Sequence, residues 1–292
     1  MDITKITQDT SALVAKHYVF PDLGGQLSGL ISTRAADGHY ATATGPEELG
    51  GLVTADLQSV NGDKHLRLKY HAEALPDLPS AEMMMAENAR DAARNLNGVA
   101  RIERLPGNVA LLELGPRLYP IEISGPAITA AMQVVASADA LVLDLRGTRG
   151  GDPRVVALVC SYLFDGRPVH LNDIYDRAQD STTQFWTLPY VPGPAFGGTK
   201  PIRVLTSPDT FSGGEELAYD LQQLGRAVLV GERTGGGAHP RIGIRLHPHL
   251  ELTVPTARGI NPVSGTNWEG TGVIPEIEVP AAEALDAALK SL

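Results

Sequence analysis

The sequence predicts a mixed α/β protein: a layered sheet with flanking helices, preceded by a small N-terminal helical domain. Strand-like and helix-like segments alternate after residue 99, as in layered α/β sheets. The runs "ALVLDL" and "PIRVLT" are almost wholly apolar, which is typical of strands buried on both faces of a parallel sheet. Residues 1 to about 75 instead carry helical spacing of apolar residues.

The N-terminal segment is predicted to be helical up to one short strand. "ITQDTSALVAKHYVF" has near-helical apolar spacing and stops at Pro21, and "GPEELGGLVTADLQSV" repeats the pattern. "HLRLKYH" alternates like a strand. The proline-containing "LPDLPS" reads as a linker, which predicts domains 1–78 and 79–292. Ser80 is the expected N-cap of a helix that Gly98 ends.

The second domain is predicted from its alternating segments. The predicted strands are "NVALLEL", "ALVLDL", "PIRVLT", "AVLVG" and the turn-containing "GIRLHPHLELTVPTAR". The predicted helices are "AITAAMQVVASA", "PRVVALVCSYLF", "GGEELAYDLQQL" and the terminal "AAEALDAALKSL". The stretch "NDIYDRAQDSTTQFWTLPYVPGPAFGG" is expected to be a long loop.

Composition excludes several classes of function. The net charge of −10 argues against nucleic acid or an anionic membrane as partner. The one cysteine, Cys160, lies in an apolar run and supports neither a disulfide framework nor a metal site. No basic n-region precedes an apolar core, and no apolar run approaches the roughly 20 residues that span a bilayer, so we expect a cytoplasmic protein without membrane insertion. No cofactor is predicted, and the oligomeric state is not determined.

Two glycines follow the buried strand "ALVLDL", in "RGTRGG". Ligands of open α/β sheets bind at the carboxyl ends of the strands. Glycines let a backbone approach a ligand closely, and their N–H groups can stabilise an oxyanion. Gly150 and Gly151 are therefore candidate oxyanion donors. A tight turn without chemistry would have the same composition.

Ser212 follows the next buried strand and opens a helix in "SPDTFSGGEELAYDL". A nucleophile at a helix N-terminus gains from the helix dipole, and the N–H of Gly213 is a further candidate oxyanion donor. A purely structural interpretation also fits, because a serine with Glu215 three positions later forms a capping box.

Four ordered blocks carry a resemblance to a known family. "ALVLDLRGTRGG", "VLTSPDTFSGGEELAYDL", "VLVGERTGGGAHP" and "NWEGTGVIPEIEV" resemble the tail-specific (C-terminal processing) serine proteases across residues 99–280. "LVAKHYVFP" and "ADLQSVNGDKHLRLKYH" resemble the modules of interphotoreceptor retinoid-binding protein. The resemblance implies a crotonase-like sheet, Ser212 as nucleophile, and oxyanion donors at Gly213 and the Gly150–Gly151 turn.

The sequence departs from the family at the base. Tail-specific members activate the serine with a lysine in the block that reads "GERTGGGAHP" here. The position of that lysine is Gly237 in this sequence, and no lysine occurs between residues 201 and 289. Relatives resembling the tricorn core use histidine and glutamate, which match His65 and Glu269. Serine needs an adjacent base, imidazole can accept and return the proton, and a carboxylate can orient the ring. The predicted site is Ser212, His65 and Glu269.

The sequence also allows purely structural roles for His65 and Glu269. His65 also fits the start of an exposed strand, Glu269 fits a surface loop, and His239 in "GGGAHP" is a rival base. The histidines of "HPH", residues 247 and 249, lack a nearby third ligand, so no metal site is predicted.

The expected substrate is a short peptide or a small acyl compound. No segment matches the peptide-binding PDZ domain that tail-specific proteases often carry. Tyr175, Phe185 and Trp186 lie in the aromatic stretch of the predicted loop and, with His239, are candidate substrate-binding residues. The main functional prediction is a serine hydrolase that forms an acyl-enzyme. The alternatives are an acyltransferase or cyclase using the same site, and a non-catalytic retinoid- or lipid-binding protein.

Overall fold

The computed structural model describes residues 1–76 and 80–292, and the predicted mixed α/β class is confirmed. Within these residues no segment forms a PDZ domain. The helices of the described chain are α1 Ile3–His17, α2 Pro21–Ala36, α3 Pro46–Gln58, α4 Ala81–Arg94, α5 Ile121–Val135, α6 Pro153–Ser161, α7 Gly213–Gln223 and α8 Ala284–Lys290. The strands are β1 Arg67–Tyr70, β2 Val99–Leu105, β3 Val109–Leu114, β4 Ala140–Asp144, β5 His170–Asp176, β6 Ser181–Trp186, β7 Ile202–Thr206, β8 Val228–Gly231, β9 Arg241–His247, β10 Leu250–Pro255, β11 Ala257–Ile260 and β12 Ile277–Glu278.

The chain divides into two compact units. The N-terminal unit comprises Met1–Ser80, Ile174–Thr183 and His239–Gly259. The sheet unit comprises Ala81–Asp173, Gln184–Ala238 and Ile260–Leu292. The domain boundary predicted between residues 78 and 79 falls outside the described residues and stays a prediction.

The sheet unit is built on six strands in the order β12-β8-β7-β4-β3-β2. All neighbours are parallel except β2, which runs antiparallel to β3 at the edge. Side chains alternate between the two faces of each strand, so Leu141 and Leu143 join one buried cluster while Val142 joins another with α8. Burial on both faces explains why these strands are apolar throughout.

The N-terminal unit combines α1, α2 and α3 with an antiparallel sheet of order β1-β10-β9. Pro21 does not merely end the first helix, as expected, but is the first residue of a second helix, α2. Proline suits that position because its missing N–H would have no partner there. Gly50 in α3 lets the helix approach β1 closely, since a Cβ atom there would lie 2.8 Å from the Leu68 carbonyl oxygen.

The stretch expected to be a long loop contains two strands, β5 and β6, in a sheet of order β11-β5-β6. The residues of β6, "STTQFW", are mostly exposed and do not alternate between polar and apolar, so they do not indicate a strand from sequence. Cys160 is fully buried in α6, as predicted. Among the described helices, none combines the length and the apolar character needed to cross a membrane.

Candidate active site

Ser212 lies where the chain leaves β7 and enters α7. Its backbone has φ 52° and ψ −119°, whereas an ordinary N-cap residue is extended. A non-glycine residue at positive φ costs on the order of 1–3 kcal/mol, and such strain concentrates at functional sites. The conformation resembles the strained strand-to-helix turn of a nucleophile elbow, and Ser212 and Glu215 also form the capping box that the sequence allowed.

Hydrogen bonds tie the turn before Ser212 to the loop after β4. Thr210 donates through Oγ1 to the Leu145 carbonyl at 2.9 Å, and the Phe211 N–H donates to the Thr148 carbonyl at 2.9 Å. Thr148 in turn donates through Oγ1 to the Leu114 carbonyl at 2.6 Å, at the end of β3. The turn is thus held against the carboxyl ends of neighbouring parallel strands, where ligands of such sheets bind.

Gly150 closely approaches Ser212, and Gly151 closely approaches Leu118. A Cβ atom on Gly150 would lie 3.0 Å from the Ser212 Cβ, and Gly150 has φ 113°. A Cβ atom on Gly151 would lie 1.9 Å from the Leu118 carbonyl oxygen. The predicted juxtaposition of the glycine turn with the head of α7 is therefore present in the sheet unit.

The glycine turn also contacts the first residue of α7. A Cβ atom on Gly213 would lie 2.9 Å from the Gly151 nitrogen, so the two backbones are in direct contact. Among the described residues, the N–H groups of Gly150, Gly151 and Gly213 make no hydrogen bond with one another or with other groups. These amides can donate to an oxyanion, which is the arrangement that acyl transfer requires.

Glu215, in the first turn of α7, holds the Ser212 backbone in place. Its buried carboxylate accepts from the Ser212 N–H at 2.8 Å, the Gly236 N–H at 2.6 Å and the Gly237 N–H at 2.9 Å. The Thr234 hydroxyl also donates to it. Burial raises the pKa of Glu215 although all four donors act to lower it. The sequence indicated Glu215 only as a capping residue.

Two further buried acids lie on α7: Glu216, which follows Glu215 directly, and Asp220, one turn later. Burial raises the pKa of Glu216 to about 7, and burial together with the charge of Glu216 raises that of Asp220 well above its ordinary value. Asn261 donates to Asp220 at 3.1 Å, while one oxygen of each acid has no hydrogen-bond partner within the described residues. Both acids thus have fewer hydrogen-bond donors than Glu215, which accepts from four.

The N-terminal unit contains both candidate bases. His65 is buried, and its backbone N–H donates to Asp63 at 3.0 Å. Burial, only partly offset by the Asp63 carboxylate, lowers the pKa of the His65 imidazole to about 4. The ring is thus neutral at pH 7, the form in which it can accept a proton.

His239 is also buried and pairs with Asp63, its Nδ1 lying 2.7 Å from Oδ2. Tyr18 donates its hydroxyl to the same oxygen at 2.9 Å. Although burial opposes it, these hydrogen bonds lower the pKa of Asp63. A buried carboxylate that orients an imidazole is the arrangement of a serine triad. Asp63 was missed from sequence, although it lies two residues before His65 in "NGDKH".

Glu269 belongs to the sheet unit, where its carboxylate accepts from the Ala238 N–H and its own N–H donates to Asn267 at 2.9 Å. The neighbouring Trp268 donates to the Gly237 carbonyl at 2.9 Å. The segments around Glu269 and Gly237 therefore brace each other. Gly237, the position of the family's lysine, contributes backbone only to this region.

The candidate aromatic residues lie on β5 and β6 of one three-stranded sheet. Tyr175 belongs to the N-terminal unit, and Phe185 and Trp186 belong to the sheet unit. Trp186 stacks on the His170 ring, with centroids 4.3 Å apart. The guanidinium of Arg258 lies over the Tyr175 ring, with its Cζ atom 5.7 Å from the ring centroid. Their role in substrate binding stays a prediction.

The histidines of the "HPH" turn bond to protein groups. His249 Nδ1 lies 2.9 Å from the His71 carbonyl oxygen, so it carries the proton, and His247 Nδ1 accepts from the His249 N–H at 3.2 Å. His71 Nε2 lies 2.9 Å from Glu251. Each of these three imidazoles thus has at least one ring nitrogen in a hydrogen bond.

The chain belongs to peptidase family S41, whose family model matches residues 122–279. A second model, the N-terminal domain of peptidase S41 in eukaryotic IRBP (interphotoreceptor retinoid-binding protein), matches residues 1–98. The resemblance drawn from the sequence blocks is therefore confirmed. More than half of the chain matches the peptidase model, and the order of strand, glycine turn and serine described above lies within it.

Solved structures show the same fold at low sequence identity. A lipoprotein from Streptococcus agalactiae is similar at 16% identity and a TM-score of 0.59, over 99% of this chain and 97% of that one. The photosystem II D1 C-terminal processing protease is similar at 16% identity and a TM-score of 0.55, over 96% and 94%. The tricorn protease matches at 13% identity and a TM-score of 0.59, over 98% of this chain and 35% of that one.

Proposed function

We propose that this protein is a serine peptidase that cleaves short peptides, or related small amides and esters, through an acyl-enzyme. Ser212 is the nucleophile, and the amides of Gly213 and the Gly150–Gly151 turn stabilise the oxyanion. The observation that carries the proposal is the strained backbone of Ser212 beside these glycines. Membership of a peptidase family supports the same reaction class.

His65 is the proposed base, and Glu269 orients its ring. The neutral imidazole removes the Ser212 hydroxyl proton as the oxygen attacks the carbonyl carbon, then returns it to the leaving amine. Water next attacks the acyl-enzyme with the same base and releases the acid. His239, which Asp63 holds, is the rival base, and the two assignments make different predictions for single variants.

Fluorophosphonate labelling tests the proposal, because such probes react with activated serines. We expect labelling of the unmodified protein and its loss in Ser212→Ala. His65→Ala is expected to slow labelling at least 100-fold, because general-base catalysis contributes roughly 10²–10⁴-fold. Ser181→Ala and His39→Ala, at exposed positions, are the matched controls. Unchanged labelling of Ser212→Ala would reject the nucleophile, and loss in His239→Ala but not in His65→Ala would make His239 the base.

The pH dependence of labelling is a second readout. Because the pKa of His65 is lowered to about 4, the ring stays neutral well below pH 6. We therefore expect the acid limb of the labelling rate to have its midpoint below the ordinary histidine value of about 6.5. A midpoint at or above 6.5 would contradict His65 as the base. If an amine replaces water as acceptor, the same site would act as an acyltransferase or cyclase, which product analysis by mass spectrometry distinguishes.

A second candidate function is the binding of a lipid or retinoid. The match of residues 1–98 to the IRBP-type domain favours it, together with an open cavity of about 510 Å³ in the N-terminal unit. Cavities of this size hold small apolar ligands. Ile3, Ala35 and Tyr40 contribute to its wall. Titration of retinol fluorescence tests this function, and an Ala35→Trp variant that fills the cavity should abolish any saturable signal.

A further inference from the structure

Arg258, in the N-terminal unit, packs against two aromatic rings. Its guanidinium lies 5.3 Å from the ring centroid of Phe20 and 5.7 Å from that of Tyr175, so two aromatic rings brace it. Cation–π contacts of this kind restrict a guanidinium in both position and orientation. The residue lies on β11, and a side chain held by a strand is positioned more rigidly than one on a loop.

No carboxylate partners this arginine among the described residues. The chain has 34 acidic residues against 24 basic ones, so an arginine without an acidic partner is not explained by a shortage of acids. The Nε atom of Arg258 is buried and has no hydrogen-bond partner in the part of the chain that is described. A buried donor without an acceptor is costly, so within the described residues the protein does not offset the desolvation of this guanidinium.

The charged residues near Arg258, Asp180 and Arg177, form hydrogen bonds with other groups. Asp180 accepts from the Tyr175 hydroxyl at 3.0 Å. Arg177 donates to the Tyr18 carbonyl. The hydrogen bond to Asp180 and burial raise the pKa of Tyr175, while the positive charges of Arg258 and Arg177 act in the opposite direction.

Arg258 also lies close to the histidines of the same unit. The Phe20 ring that contacts Arg258 packs edge-on against the His239 ring, with centroids 5.4 Å apart. His239 is bonded to Asp63, whose other oxygen accepts from the His65 N–H. One aromatic ring thus separates the arginine from the histidine and carboxylate cluster.

We propose that Arg258 binds a carboxylate of the substrate and so selects short acidic or free-acid peptides. Guanidinium and carboxylate match in a two-point, charge-assisted geometry that lysine does not reproduce. The identity of the ligand as a substrate rests on the proposed peptidase function, whereas the carboxylate preference rests on Arg258 alone. The carboxylate can come from the free C-terminus of a peptide or from an acidic side chain, and the experiment separates these sources.

Binding is measured in Ser212→Ala protein, so the result does not depend on turnover. The probes are dansyl-trialanine with a free C-terminal carboxylate, its C-terminal amide, and the amides of dansyl-Ala-Glu-Ala and dansyl-Ala-Gln-Ala, followed by fluorescence anisotropy. We expect one carboxylate probe to bind roughly ten- to hundredfold more tightly than its uncharged match, as for hydrogen bonds to charged groups. The first pair reports a terminal carboxylate and the second pair an acidic side chain.

Substitution of Arg258 tests the assignment. Arg258→Gln should reduce the preference to within about twofold, and Arg258→Lys should retain part of it because the charge remains without the planar fork. Arg34→Gln, which removes a cation elsewhere in the same unit, should preserve the preference. A preference that persists in Arg258→Gln overturns the proposal. In protein that keeps Arg258, equal binding of the carboxylate and amide probes, or no binding of any probe, also overturns it. This comparison does not need the Arg258 variants, so it decides the proposal even if they fail to fold.

The two proposals fail separately. Fluorophosphonate labelling without a carboxylate preference leaves the peptidase and rejects the Arg258 site. A preference that depends on Arg258, in a protein whose Ser212 is not labelled, leaves a carboxylate-binding protein and rejects the peptidase.

Discussion

The Ser212 turn and the Asp63 cluster each centre on a buried carboxylate, but different donors satisfy it. Glu215 accepts three backbone N–H groups and one hydroxyl, all from the sheet unit. Asp63 accepts from the side chains of Tyr18 and His239 as well as from the His65 backbone. Backbone donors do not titrate and have fixed positions, whereas an imidazole can change its charge and a side chain can rotate. The first arrangement suits a fixed nucleophile, and the second suits a proton acceptor.

The largest effect is expected from Glu215→Ala. The change leaves the N–H groups of Ser212, Gly236 and Gly237 buried without their acceptor, and should cost about 3–5 kcal/mol of the free energy of unfolding. Urea denaturation measures it, and fluorophosphonate labelling should fall in whatever protein remains folded. Glu215→Gln, which keeps one acceptor oxygen, should lose less. A loss below about 1 kcal/mol would show that the backbone donors find other acceptors.

Glu216 provides a contrast, because it is a buried acid without a comparable set of donors. Its pKa rises from 4.5 to about 7 on folding, so between these values the folded protein holds a proton that the unfolded chain has lost. The free energy of unfolding should therefore fall by about 3 kcal/mol as the pH rises from 4.5 to 7, and level off above.

Denaturation of Glu216→Gln against pH isolates this contribution, since the amide cannot ionise. The slope between pH 4.5 and 7 should flatten in Glu216→Gln and persist in Glu87→Gln, a matched change on the exposed surface of α4. An identical slope in Glu216→Gln and the unmodified protein would assign the pH dependence to other groups.

Asp63→Asn should have a smaller effect than Glu215→Ala, because the amide retains one acceptor oxygen. The hydrogen bond to His239 loses its charge, and we expect a cost of about 2 kcal/mol in the free energy of unfolding. Differential scanning calorimetry above pH 5 measures it. Because the pKa of Asp63 is lowered on folding, its stabilisation is present above its ordinary pKa and is lost as the pH falls through the lowered value. The variant and the unmodified protein should therefore converge in stability at low pH.

The smallest expected effect belongs to single hydroxyl donors. Tyr18→Phe removes the 2.9 Å bond to Asp63, and Thr234→Val removes the hydroxyl that donates to Glu215. Each should cost about 1 kcal/mol, with Thr234→Val the larger, since the Thr234 Oγ1 also accepts from the Val273 N–H at 2.7 Å. Urea denaturation of the two variants side by side checks the order. The reverse order would show that Asp63 depends more on its side-chain donors than Glu215 does.

The sequence by itself determined the fold class, the parallel strands, the helix that Ser212 opens and the family. Apolar runs, helical spacing and glycine turns are local signals, and each reports the burial of its own segment. The absence of a family lysine near Gly237 was equally a property of the sequence, and it directed attention to histidine.

Only the tertiary structure decided which groups meet. Asp63 and His239 are 176 residues apart, and no local pattern links them. The acceptor role of Glu215 depends on a loop 21 residues later, and the aromatic brace of Arg258 comes from residues near positions 20 and 175. Hydrogen bonds and ring contacts act over a few ångströms, so residues distant in the chain acquire their roles only when the fold brings them together.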